Sequence, residues 1–244
     1  MKILVSQQVP SNFAPFEAIE SKYGASLEFH PFYVTEPLSA KEFRAEKINL
    51  PDYSAVVFSS RLVIDAYFRL CDEMRFKVPE TMKYFCSTEA VAMYLQKHIV
   101  YRKRKIFFGN GTPESIVAQI GSKHKGEKFL IASSVGSNMD ALTSRFDSAG
   151  LDYTLGTLVK AVPQDLRSLD IKSYNLIVMF NPSDVISLKE NFPDYSQGDT
   201  RLMSFGRSVV PAMEEAGFTV NAKAPTPEAP SVGKAIELYL AENS

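Results

Sequence analysis

KILVSQQVPSNFAPFEAIESKYG (2–24) and KFLIASSVGSNMDALTSRFDSAG (128–150) follow one pattern. Lys2 falls on Lys128, Leu4 on Leu130, Ser11-Asn12 on Ser137-Asn138 and Gly24 on Gly150. At the same offset Pro37 falls on Pro163. Each stretch opens with a short apolar run, turns through hydroxyl, Gly or Pro residues, and continues as an amphipathic helical pattern. FEAIESKYG, closed by Gly24, is a helix with a glycine stop.

Working outward, three further blocks recur in the same order. DYSAVVFSSRLVI (52–64) falls on SYNLIVMFNPSDV (173–185), with Tyr53 on Tyr174, Val57 on Val178 and Ser60 on Asn181. KYFCSTEAVAM (83–93) falls on LMSFGRSVVPAM (202–213), pairing Cys86 with Gly206, Thr88 with Ser208 and Met93 with Met213. GTPE (111–114) falls on PTPE (225–228). The offset shortens along the chain, as small loop deletions would make it. Four blocks in one order are an internal duplication. GSKHKGEK (121–128) joins the copies.

Each block reads strand, turn, helix. KILV, AVVF, MKYFC and KIFF are the strands expected in the first copy; FLIA, LIVMF, LMSF and FTVNA are those of the second. Eight strands alternating with helices predict two doubly wound α/β lobes with parallel sheets. Thr112 and Thr226, each before Pro-Glu, are expected to cap helices that begin at Pro113 and Pro227.

Composition narrows the function. With 244 residues, 45% hydrophobic and 23% charged, the chain suits one large or two ordinary soluble domains. A net charge of -1 gives no reason to expect a nucleic-acid partner. YRKRK (101–105) is the densest basic run, and before IFF it reads as a solvated strand entry. Cys71 and Cys86 form no disulfide framework or metal spacing, and the three histidines are scattered. No run has the length of a signal peptide's apolar region or of a membrane span. A cytoplasmic, cofactor-free protein without metal, most simply a monomer, is expected.

In doubly wound sheets, ligands gather at the carboxyl ends of the strands, where helix N-termini present free N–H groups. Those junctions read SQQ (6–8), SSR (59–61), STE (87–89), GTPE (111–114), SSVGS (133–137), NPSD (181–184), GRS (206–208) and PTPE (225–228). They are rich in hydroxyls, with Arg61 and Arg207 at two of them, and hold no Ser/His/Asp set, Walker loop or Gly-x-Gly-x-x-Gly. Such rims suit an anionic ligand, although any one of these residues also serves simply as a helix cap.

The matching pieces VVFSSRLVID (56–65), YFCSTEAVAMYL (84–95), MFNPSDVISL (179–188), FGRSVVPAMEEAG (205–217) and APTPEAP (224–230), in this order and spacing, resemble the uroporphyrinogen-III synthase family over essentially the whole chain. The resemblance implies two α/β lobes, one from 1–32 and 164–244 and the other from 38–158, joined by crossing strands at 33–37 and 159–163. It implies cyclisation of the linear tetrapyrrole hydroxymethylbilane with inversion of its last ring, through a spiro intermediate and without a cofactor. The uninverted closure needs no enzyme, so the protein's task would be to hold one reactive geometry. The substrate's carboxylates would then meet Ser59, Ser60, Arg61, Ser87 and Thr88 from one lobe and Asn181, Pro182, Ser183, Arg207 and Ser208 from the other, with Lys160 beside the crossing.

The chain also departs from the family's pattern. The family's tyrosine before the second crossing, thought to assist loss of the hydroxyl, corresponds to Val159, whose duplication counterpart is Tyr33. The Ser and Gly of a family Ser-Pro-Ser-Gly run are Asn181 and Asp184. A Val159→Tyr gain of activity would mark a weakened enzyme. The alternative is a non-catalytic relative whose cleft binds an anionic small molecule or a regulatory partner.

Overall fold

The computed structural model describes residues 1–243. In chain order it runs β1 (Lys2–Val5), α1 (Ala14–Tyr23), β2 (Ser26–Phe29), β3 (Tyr33–Pro37), α2 (Ala40–Phe43), β4 (Ala55–Phe58), α3 (Arg61–Glu73), β5 (Lys83–Cys86), α4 (Glu89–Tyr94), β6 (Ile106–Phe108) and α5 (Pro113–Ile120). It continues with β7 (Lys128–Ser134), α6 (Asp140–Ala149), β8 (Asp152–Pro163), β9 (Leu176–Met179), α7 (Pro182–Asn191), β10 (Arg201–Phe205), α8 (Val209–Glu215), β11 (Ala222–Ala224) and α9 (Val232–Glu242). The chain divides into two compact units, one made of Met1–Val34 with Ala161–Ser244, the other of Thr35–Lys160.

The first unit holds a sheet in the order β11-β10-β9-β1-β2, with parallel pairs throughout. Side chains alternate along each strand, and here both faces are covered. Ile3, Val5, Leu176, Val178 and Met203 pack with Phe16 and Ile19 of α1 and Ile236 and Leu240 of α9. Leu4, Ile177, Met179 and Leu202 face Val185 and Leu188 of α7 and Val209 and Met213 of α8. Burial on both faces is why KILV and LIVM are unbroken apolar runs.

The second unit repeats the plan in the order β3-β8-β7-β4-β5-β6. Val56, Phe58, Tyr84, Cys86, Leu130 and Ala132 pack with α3 through Val63, Ile64, Tyr67 and Leu70. Ala55, Val57, Phe85, Phe129 and Ile131 pack with Ile116 and Ile120 of α5 and Leu142 and Phe146 of α6. β8 runs parallel to β7, but its register shifts by one residue between Ser133 and Ser134. That bulge lets the consecutive Leu158 and Val159 both enter the same core, each fully buried.

β3 and β8 are the strands along which the chain passes from one unit to the other. In the first unit Gln164 N–H donates to the Phe32 carbonyl at 2.8 Å; in the second Leu38 N–H donates to the Leu158 carbonyl at 2.8 Å. Residue numbers fall on one strand as they rise on the other, so the pair is antiparallel.

Three expectations need correction. Beside the eight lobe strands and the two crossing strands expected, β2 is additional among the described residues, and β8 already begins at Asp152 rather than at 159. The last strand is Ala222–Ala224 rather than FTVNA (218–222): the Gln197 side chain takes up both Thr219 backbone groups, accepting its N–H at 2.8 Å and donating to its carbonyl at 3.0 Å, and keeps 219 out of the ladder. The second Thr-Pro-Glu starts no helix. Thr226 accepts the Ala229 N–H at 3.1 Å in a turn, and α9 begins at Val232 behind a Ser231 cap. No helix of the described residues is long and apolar enough to cross a membrane.

Candidate functional site

The carboxyl ends of the two sheets carry the residues singled out from sequence, and each rim is built within its own unit. In the second unit β4 leads through Ser59 to Ser60, whose Oγ accepts the Val63 N–H at 3.4 Å and caps α3. Ser87, after β5, donates its hydroxyl to the Ser59 carbonyl at 3.1 Å. Thr88 caps α4 by accepting the Val91 N–H at 3.4 Å. The Ser87 carbonyl in turn accepts the Gly111 N–H at 2.8 Å, and Thr112 caps α5 as expected, accepting the Ser115 N–H at 3.3 Å. Ser59, Ser60, Ser87 and Thr88 are thus one hydrogen-bonded rim. Arg61 is exposed at its edge, its guanidinium 5.4 Å from the centre of the Tyr94 ring.

Lys160 is engaged elsewhere. Its ammonium is paired with the Glu42 carboxylate, which also closes a capping box with Ser39 at the start of α2. The Lys160 ammonium and the Ser39 hydroxyl and N–H hold the Glu42 carboxyl down at about 2. Both partners of this pair are partly exposed.

In the first unit the rim is made by β9 and β10. Asn181 caps α7 with Oδ1, accepting the Ser183 N–H at 3.1 Å, and Pro182 takes the first helical position, where no N–H is needed. Asp184 closes the box: Oδ2 accepts from Phe180 N–H at 2.8 Å and from Asn181 N–H at 3.1 Å. Ser183 is buried. Gly206, at φ 130°, donates its N–H to the Ala224 carbonyl at 2.7 Å. A Cβ there would stand 3.2 Å from the Phe180 carbonyl oxygen, so only glycine lets β10 approach this closely. Arg207 and Ser208 follow, both exposed, and Ser208 makes no side-chain cap.

Two residues at this rim were missed. Asp184 is fully buried, with its Oδ1 lacking a hydrogen-bond partner among the described residues. Burial pushes its carboxyl up to about 6, against the Phe180 and Asn181 N–H donors and the nearby Ser6 hydroxyl. The Asn-x-x-Asp spacing was the available signal, a capping box with Asp in the place of Glu. The other is Tyr33, whose hydroxyl oxygen accepts from Asn181 Nδ2 at 2.5 Å. Its neighbour Phe32 is fully buried, and the Phe32 carbonyl also accepts from the Ser187 hydroxyl of α7. α7 and its cap therefore hold the chain at Phe32 and at Tyr33. No local sequence signal joins residues 33 and 181.

Among the described residues, no group of three or more His, Cys, Asp or Glu side chains could hold a metal ion. The rims offer hydroxyls, amide N–H groups and two exposed guanidinium side chains. Such donors suit anions in general, and among the described residues the rims hold no paired nucleophile and base.

The model of the uroporphyrinogen-III synthase HemD family matches residues 16–232. Among solved structures, the chain is similar to a uroporphyrinogen-III synthetase from Helicobacter pylori, at 15% identity and a TM-score of 0.53 over 99% of each chain. It is also similar to a mutant uroporphyrinogen III synthase from the extremely thermophilic bacterium Thermus thermophilus, at 12% identity and a TM-score of 0.50 over 100% of each chain. At these identities the structures establish a shared fold. No curated protein matches the sequence.

Proposed function

Since the chain belongs to the uroporphyrinogen-III synthase HemD family, we propose that it cyclises hydroxymethylbilane to uroporphyrinogen III with inversion of the last ring. The observation that carries this reading is the family match across residues 16–232, which takes in both rims. The donor chemistry of the rims supports it. The substrate is a flexible chain bearing several carboxylates, and capped helix N-termini with hydroxyls can hold such groups. Loss of hydroxide from one end leaves an electrophile. Attack by the other end at its substituted carbon gives a spiro intermediate that rearranges to the inverted ring. Because the uninverted ring closes unaided, rate and isomer outcome both come from holding the substrate in one conformation.

A second reading, a cleft protein of this family that binds an anionic molecule without converting it, is favoured by one observation: Val159 is fully buried in the second unit's core, and no phenol stands at that position. The test is a coupled assay in which hydroxymethylbilane is generated in situ and the uroporphyrin I to III ratio is read after oxidation. A protein-dependent excess of isomer III is the expected outcome. Isomer I alone, from protein shown to be folded, selects the second reading.

A further inference from the structure

Asn181 looks like a ligand-binding amide in sequence, but both ends of its side chain are committed. Oδ1 accepts the Ser183 N–H at 3.1 Å. A flipped amide would set two donors against each other there, so the cap fixes the orientation of the group. Nδ2 must then face Tyr33, and it donates to the phenol oxygen at 2.5 Å. This direction matters for Tyr33. Its oxygen is the acceptor in that bond, so its own proton is left to donate, and no acceptor for it stands among the described residues. Asp184 holds the arrangement from behind by fixing the backbone N–H groups of Phe180 and Asn181. The Phe32 anchor and its bonds to Gln164 and Ser187 fix the backbone from which Tyr33 projects.

We propose that Tyr33 is a substrate-contacting donor, its phenol O–H anchoring a carboxylate of the bound tetrapyrrole, and that Asn181 is the positioning residue that aims it. This rests on the functional reading above. Half-burial, with the Asp184 charge nearby, raises the phenol above its ordinary range against the donor effect of Asn181, so the proton stays in place at neutral pH. An amide donating to the phenol oxygen also polarises the O–H bond and strengthens the hydrogen bond it gives onward.

The test reads binding separately from turnover. The probe is uroporphyrin III, the stable oxidised product, followed by fluorescence titration. Tyr33→Phe removes one oxygen and is expected to weaken probe binding by about tenfold, in the range of a hydrogen bond to a charged acceptor. In the coupled assay it is expected to raise KM by a similar factor and leave kcat within about twofold. Asn181→Asp keeps an oxygen to cap α7 but turns the Tyr33 proton inward. It should match Tyr33→Phe in binding, and the double variant should lose nothing more. Far-ultraviolet circular dichroism and melting of each variant confirm folding. Wild-type binding with an unchanged Tyr33→Phe constant overturns the anchor alone, as does a loss confined to kcat. A wild-type protein that neither binds the probe nor forms isomer III overturns the functional reading, and the anchor with it.

Discussion

At the scale of single residues, two side chains differ most from what their sequence neighbours suggest. Asp184 sits within a hydrophilic-looking run, NPSD (181–184), yet it is fully buried. Its carboxyl is raised to about 6 from an unfolded value of 3.8. The folded state therefore binds this proton more tightly than the unfolded state does. The stability linked to this group is present below about pH 4 and is lost as pH rises through about 6, an effect of about 3 kcal/mol at most. Asp184→Asn keeps an oxygen for the Phe180 and Asn181 N–H groups and carries no charge. Urea unfolding at pH 4.5 and pH 7.5 should show the wild type losing stability at the higher pH, with that slope reduced in the variant. Val159 is the other case. Aligned by family pattern it invites a tyrosine, and on that reading Val159→Tyr gains activity. The side chain is instead fully enclosed in the second unit's core, so a phenol there overpacks it. The variant should lose about 1–3 kcal/mol, measured as a lower melting temperature without a gain in isomer III.

At the scale of elements, the most legible features were those with local causes. The apolar runs at KILV, AVVF and LIVM became strands because burial on both faces requires them to be apolar throughout. Ser60, Thr88, Thr112 and Asn181 all became caps. Twin Thr-Pro-Glu motifs nevertheless diverged, and the cause lies just beyond them. SIVAQI follows the first, whereas Ala229-Pro230 follows the second. A helix begun at Pro227 would have Pro230 inside its first turns and would force Ala229 away from helical geometry, so the helix waits for Ser231. The two threonines should therefore respond differently. Thr112→Ala removes the cap of an eight-residue helix and should cost about 1 kcal/mol. Thr226→Ala removes only a turn bond and should cost less. Denaturant midpoints of the two variants check the order.

At the scale of the whole molecule, the duplication made two sheets legible, but the residues alone could not say which strand joins which sheet. Parallel strands covered on both faces share one apolar character, and pairing partners are not written in it. β7, α6 and β8 open the second copy in sequence, yet they complete the sheet of β4, β5 and β6. β1 and β2 open the first copy and stand with β9, β10 and β11. The site was less legible for a similar reason, since Tyr33 and Asn181 meet only through the sheet that places β1 beside β9. One unit is continuous in sequence, Thr35–Lys160, and has cores on both faces of its sheet. Expressed alone, residues 35–160 should fold, with a single cooperative urea transition followed by circular dichroism. A gradual, non-cooperative loss of signal would show that this unit needs the rest of the chain.

The placement of β1 between β2 and β9 also sets an order of events on the ribosome. β1 and β2 leave the exit tunnel long before β9, the neighbour that covers β1's other edge and begins at Leu176. At about 5–20 residues per second, these two strands wait roughly seven to thirty seconds with an open edge while the whole of Thr35–Lys160 emerges. Stalling synthesis before Leu176 would leave β1 paired with β2 on one side and its other edge open.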